Sequence, residues 1–387
     1  MNRRKFLSAL PATLCFGSQA RFSWAAAPTG RANYQRLLIL VELKGGNDGL
    51  NTLIPYANPS YYALRPNLAV ARSEVRQLDE TQGLHPALET LLPIWQAKEL
   101  ALVQGLGYAE PNLSHFRSIE IWDTASSSRD YLQEGWLARA FALHPPPKDF
   151  AADGVIIAAD DPGPLTGGAR SVALASPTEF QRLARLAQTH GNSPNPALRH
   201  LLKVERDIVN AATKLQGEHN FRTPFPQSEF GRAVASAAQV AAMPARVAVL
   251  RLSLAGFDTH RGQTATHARL LKDLAEGLAA LRSALLELDR WRDTLILSYA
   301  EFGRRPKENQ SQGTDHGTAG VHFAMGGGVK GGLYGSAPSL DRLDGEGNLF
   351  HTLDFRRLYA TVLEDWWGLP SREVLGGKFA SLGLLRG

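Results

Sequence analysis

Six short groups of acid, histidine and hydroxyl residues lie at the ends of apolar runs, far apart along the chain. They are Gly45-Gly46-Asn47-Asp48-Gly49-Leu50-Asn51, Ser114-His115, Asp258-Thr259-His260, Glu301-Phe302-Gly303-Arg304, Asp315-His316-Gly317, and His351 with Asp354. Carboxylates and neutral imidazoles together are the donor set for one or two divalent cations such as zinc, manganese, magnesium or calcium. Groups so distant in sequence can share an ion only if a fold gathers them. A parallel α/β sheet does this along the carboxyl edge of its strands. The chemistry on offer is metal-dependent hydrolysis.

Each group has its own reading. Asp48 sits in a glycine-rich turn where the backbone can approach an ion closely, with Asn47 or Asn51 helping; the same residues also make an ordinary turn. Ser114 opens a helix expected over His115 to Asp123, as a favoured cap residue or as a nucleophile activated by a neighbouring base or metal. The start of that helix suits an anion, and Arg117, one turn on, could grip a tetrahedral one in fork geometry. His115 is carried with them as a catalytic candidate. Asp258 and His260 are two apart in an extended segment, so both can reach one ion, with His267 further on as an orienting group. Glu301 ends another strand, as a ligand or as the ion-pair partner of Arg304. Asp315 and His316 are flanked by small residues that leave room for a ligand. Asp354 is well placed to cap the last helix.

The elements that must position these groups are legible as patterns. Strands are expected at Leu37–Leu43, Leu100–Leu106, Gly154–Ala159, Arg246–Leu254, Thr294–Tyr299 and Val321–Met325, several of them apolar throughout, as strands buried on both faces are. Helical spacing runs over Leu84–Lys98, over the stripe from Leu270 to Leu288, and from about Asp354 to Trp367. Strands alternating with helices imply a three-layer α/β/α fold with a mostly parallel central sheet. Residues 125–240 fit this rhythm less well and read as a helical insertion or cap. Residues 28–387 are expected to form a single hydrolase domain, at a length that would also allow two.

The ends and the composition narrow the function. Residues 1–27 read as an export signal: Arg3-Arg4-Lys5-Phe6-Leu7, an apolar stretch too short to span a membrane, and small residues around Ala25. Paired arginines before Phe-Leu favour the twin-arginine translocase as export partner and a periplasmic or secreted address. The only cysteine, Cys15, lies in that signal, which excludes thiolate metal sites and cysteine nucleophiles from the mature chain. The net charge of +5 falls to about +1 once Arg3, Arg4, Lys5 and Arg21 are removed. With no basic stripe interleaved with aromatics, no nucleic-acid partner is expected, and no segment suits a stable membrane span.

Taken in series, the groups resemble a bacterial family catalogued as domain of unknown function 1501, over nearly the whole chain. Further carriers are Leu84-His85-Pro86-Ala87-Leu88, Ser114-His115-Phe116-Arg117-Ser118, Gly135-Trp136-Leu137 and Gly256-Phe257-Asp258-Thr259-His260. That family is similar to the alkaline phosphatase and sulfatase superfamily. The resemblance implies an alkaline-phosphatase-like fold, a one- or two-metal site, and hydrolysis of phosphate or sulfate esters in small molecules or polymers. It makes Asp48 a first-strand metal aspartate, Ser114 the nucleophile, Asp258 and His260 second-metal ligands, and His316 the last metal histidine. Two departures matter. Ser114-His115-Phe116-Arg117 lacks the proline that sulfatase maturation reads, which disfavours a formylglycine enzyme. Glu301-Phe302 stands where the superfamily usually has an Asp-His pair, so that either Asp315 compensates or one of two metals is absent. The alternatives are a non-catalytic binding or assembly protein with a degenerate site, and a metal-free serine esterase, in which Gly46-Asn47-Asp48 resembles a Gly-x-Asn-Asp block and Asp258 and His260 mimic the catalytic Asp-His pair.

Overall fold

Leu37–Lys44 is apolar at nearly every position because it runs through the middle of the molecule, packed on both faces. In the computed structural model it is the central strand of a nine-stranded sheet. The structure describes residues 32–386 except 160, 185–193, 196–198, 200–205 and 207. The export signal expected at residues 1–27 lies outside the described residues.

The large sheet comprises β1 (Leu37–Lys44), β2 (Leu100–Gly107), β3 (Ala152–Ile157), β4 (Ser171–Leu174), β5 (Val247–Ala255), β6 (Thr294–Tyr299), β7 (Gly320–Met325), β8 (Gly332–Tyr334) and β9 (Leu353–Asp354). Their order is β8-β2-β7-β6-β1-β5-β3-β4, with β9 also paired to β2. Every neighbouring pair is parallel except those of β7, which runs against both β2 and β6. The architecture is therefore a mixed, mostly parallel sheet with helices on both faces.

Side chains of β1 alternate between the two outer layers. Leu37, Ile39, Val41 and Leu43 pack with α3 (Glu229–Ala242) and α4 (Gln263–Glu287). Leu38 and Leu40 face the opposite layer, which holds α1 (His115–Thr124), α2 (Trp136–Leu143) and the C-terminal helices. The leucine stripe of α4 is buried at Leu270, Leu271, Leu274, Leu278, Leu281 and Leu285. At roughly 1.5–3 kcal/mol per buried leucine, this stripe alone holds α4 against the sheet.

The six expected strands form within two residues of their expected ends. Segment 125–240 contributes more than helices, since β3 and β4 extend the sheet from it. The helical spacing at Leu84–Lys98 yields a 3-10 turn over Pro86–Leu91 followed by one α-turn over Leu92–Gln96, because Pro86 and Pro93 restart the helix. The helix expected from about Asp354 begins at Arg356 and widens into a π-helical turn over Thr361–Trp366, and a short helix over Ser371–Leu375 follows it.

Three histidines are part of this core. Burial pushes His267 down to about 4 despite the opposing charge of Asp48, His85 to about 4, and His322 to about 3. All three are neutral in both folded and unfolded chains above about pH 6.5, so they neither add nor remove stability there. As pH falls below that value only the unfolded chain takes up their protons, and the folded state loses ground until its own pKa is reached. The loss is on the order of 3 kcal/mol for His267 by pH 4. Urea midpoints at pH 7 and pH 4.5 check this, and an unchanged midpoint would show that water reaches these rings.

Candidate metal centre

Five loops at the carboxyl edge of the sheet bring the site together. His115 is the first residue of α1, on the connection that leaves β2. Asp258 and His260 follow β5, and Glu301 follows β6. The glycine turn after β1 lies beneath them. A Cβ at Gly45 would sit 2.4 Å from the Asp258 amide nitrogen, and its φ of +111° is one only glycine adopts readily. His316 precedes its strand rather than following one. It still reaches this edge because β7 is the reversed strand, so its start lies where the others end.

Asp258 is the hub. Its Oδ1 lies 3.0 Å from His260 Nε2 and 3.2 Å from His316 Nε2, and its Oδ2 lies 3.5 Å from His115 Nε2. Donor atoms of His115, Asp258 and His316 all fall within 4.8 Å of one another. Each imidazole is held from behind at its other nitrogen. His115 Nδ1 is 2.7 Å from Glu301, His316 Nδ1 is 2.8 Å from the Leu113 carbonyl, and His260 Nδ1 is 3.3 Å from Asp315. An acceptor at Nδ1 places the proton there and leaves a lone pair on Nε2, which is how metal-binding histidines are oriented.

The donor set fits a divalent cation. His260 Nε2 and His316 Nε2 stand 2.9 Å apart, two lone pairs facing each other beside a carboxylate. Ligand atoms about 2.0–2.2 Å from a tetrahedral ion lie roughly 3.3 Å from one another, which matches the observed spacings. Protonation states agree. Burial would raise Asp258, but hydrogen bonding and charge from Arg304, with His316 and His260 adding to them, hold it down to about 2. Burial lowers His316, keeping that ring neutral. Arg304, wholly buried, donates to Asp258 Oδ1 at 2.7 Å and to the Gly46 and Thr314 carbonyls, so it ties the three loops together.

Other expected site residues lie elsewhere. Asp48 is 1% exposed and both its oxygens are taken by Arg65, at 2.6 and 3.0 Å, with Gln263 and the Leu50 amide also donating. Asn51 accepts from Arg65 and Tyr61, and Asn47 accepts from His267, so this turn is a buried polar network rather than part of the Asp258 group. Glu301 stands behind the centre: besides His115 it accepts from the Gly45 amide, and it makes no pair with Arg304. Asp315 holds His260 in the same way. Phe302 packs its ring 4.5 Å from His316 and 4.9 Å from His115. Ser114 is exposed at the start of α1, and its hydroxyl caps nothing. Arg117 turns away, donating to the Ser127 and Asp130 carbonyls and pairing with Glu120. Asp354 pairs with Arg356 and accepts from its backbone amide, where the helix from Arg356 begins.

The centre opens into a cleft of about 1020 Å³ lined by His115, Asp258 and Glu301, with Phe116, Tyr131 and Leu132 exposed on its rim. The cleft also reaches a second charged group that the sequence reading overlooked. Arg251, fully buried in β5, donates to Glu42 at 2.9 Å, to Asp161 at 3.0 Å and to Tyr299. One signal was present: an arginine inside an otherwise apolar strand needs a buried carboxylate. Burial raises Asp123, at the same cleft wall, well above the usual carboxylate range.

Comparison with known proteins places the chain. The structure resembles the zinc complex of the C-terminal periplasmic domain of EcEptC from Escherichia coli, at 9% identity over 75% of this chain and 72% of that one, with a TM-score of 0.36. It resembles PsFucS1 sulfatase from Pseudoalteromonas sp. at 11% identity, 90% and 70% coverage and a TM-score of 0.41. It also resembles phosphonate monoester hydrolase SpPMH from Silicibacter pomeroyi at 12% identity, 89% and 76% coverage and a TM-score of 0.42. No curated protein matches the sequence. The family described as Protein of unknown function (DUF1501) matches residues 100–376, from the start of β2 to the end of the last helix, and the chain belongs to that family.

Proposed function

We propose that the protein is an exported, metal-dependent hydrolase of phosphate or sulfate esters. The observation that carries this reading is the convergence of His115, Asp258 and His316, joined by His260, at the mouth of a large cleft. A divalent cation bound there would supply Lewis acidity toward an ester oxygen. The chain's own residues prepare the site. Glu301, Asp315 and the Leu113 carbonyl fix the tautomers of three imidazoles, and Arg304 keeps Asp258 ionised. The first turn of α1 carries no side-chain cap, so its N–H groups lie free beside His115, where they favour a tetrahedral anion. Substrate is a small-molecule or polymer ester, and Arg3-Arg4 favours passage through the twin-arginine translocase to the periplasm or beyond.

The test is metal content by plasma mass spectrometry on mature protein purified without chelator or affinity metal. It is followed by assays with p-nitrophenyl phosphate, bis(p-nitrophenyl) phosphate and p-nitrophenyl sulfate. One or two ions per chain and turnover that chelation removes are expected. A chain that takes up no ion even after incubation with zinc or manganese overturns the reading. The position of Ser114, exposed and without a histidine partner, favours one second reading: a metal-holding binding or assembly protein without turnover. Metal-loaded protein inert toward all three esters would select it.

A further inference from the structure

A second cavity, of about 290 Å³, is bordered by Arg304, the arginine that also holds Asp258. Its walls are apolar, with Leu50, Leu53, Val321, Leu340 and Leu349. One polar group among them is out of place. Gln104, on β2, is only 7% exposed and lines the cavity, yet its carboxamide hydrogen-bonds to no described residue. Its amide atoms are not among the fully buried ones, so they keep some accessible surface and can meet a ligand in the cavity. Gln82, which also lines the cavity, has a buried Oε1 with no partner among the described residues. Arg304 borders the cavity too, but each of its nitrogens is already engaged by the Gly46, Thr314 and Phe257 carbonyls or by Asp258. The lining therefore offers amide donors and acceptors in a mostly apolar chamber, with no free charge among the described residues.

We propose that this cavity is a binding site for a compact, uncharged, chiefly apolar molecule bearing a carboxamide-type group, which pairs at two points with Gln104. The volume is at the lower end of small-molecule sites, which run from about 300 Å³. A primary or secondary amide satisfies both the C=O and the NH2 of Gln104, whereas a carboxylate would meet no available cation. An amide N–H directed at Gln82 would fill the second unmet acceptor. The proposal does not depend on turnover at the metal centre, because its test reads binding alone.

Ligand-observed saturation-transfer NMR on the full mature chain tests it, with benzamide, benzoate and toluene as probes. Benzamide should bind, benzoate at least tenfold more weakly, and toluene more weakly than benzamide. Gln104→Leu, nearly isosteric, should weaken benzamide at least tenfold while leaving toluene bound. Leu50→Trp, which fills the chamber, should abolish both. Thermal unfolding of each variant confirms folding, and Gln104→Leu carries the test alone if Leu50→Trp does not fold. Absence of benzamide binding, toluene binding as tightly as benzamide, or equal benzamide binding by the wild type and Gln104→Leu overturns the proposal.

Discussion

Asp258→Ala and His316→Ala should each reduce bound metal to background and lower ester turnover by roughly a thousandfold or more, since a metal's charge stabilisation is worth several kcal/mol. Asp258 is the shared neighbour of three imidazoles, so its loss removes the anion that makes the cluster attractive to a cation. It also leaves the buried Arg304 guanidinium facing the vacated space, which repels the ion further. The positions behind the cluster should give a graded response. Glu301→Gln keeps a hydrogen-bond acceptor near His115 but removes the charge that fixes its tautomer, so metal affinity should fall by about 10–100-fold. Ser114→Ala should leave metal content unchanged and turnover within a few-fold, because the hydroxyl stands exposed outside the cluster. Metal content by plasma mass spectrometry and turnover of p-nitrophenyl phosphate read all four variants. Full activity in Asp258→Ala would sink the assignment, and a collapse in Ser114→Ala with metal retained would restore that serine as nucleophile.

The sheet was legible because its strands are buried on both faces. Runs such as Leu37–Leu43 and Val247–Leu254 have no other economical explanation, and the strands form within two residues of where the apolar pattern puts them. Short edge strands such as Ser171–Leu174 carry too few apolar residues to announce themselves. In the site, residue type at a strand end was informative but rank within the site was not. Asp258, His260 and His316 converge, while Glu301 and Asp315 stand one step behind, holding imidazoles. A carboxylate in contact with the ion and one in contact with its histidine look alike in sequence, because both need the same loop position. Arg117 has the spacing of an anion clamp, yet its guanidinium is consumed by the Ser127–Asp130 loop, whose path the sequence does not state. The reversed direction of β7 was also unreadable, and it alone explains how a histidine before a strand joins side chains that follow theirs.

Asp48 poses the sharpest contrast between those two kinds of role, and stability rather than activity decides it. Arg65 and Asp48 are both 0% exposed at their side chains, and the guanidinium also donates to Asn51 and to the Arg305 and Pro306 carbonyls. Burial would raise Asp48, but the charge and hydrogen bonds of Arg65 hold it below the usual carboxylate range. Removing one partner of such a pair strands the other as an uncompensated buried charge, at a cost of about 3–5 kcal/mol. Arg65→Met should therefore destabilise the protein by that amount in urea unfolding. Asp48→Asn should cost less than this, because the amide still accepts from one donor, and it should leave metal content intact. The double variant Asp48→Asn/Arg65→Met should be more stable than the sum of the two losses predicts, by on the order of 1–3 kcal/mol, since the second change removes a charge the first has orphaned. The turn from Asn47 to Asn51 is then a brace that fixes the glycine loop under Asp258. Loss of metal from Asp48→Asn under conditions where the chain remains folded would instead make Asp48 a ligand, reached by a rearrangement that parts it from Arg65.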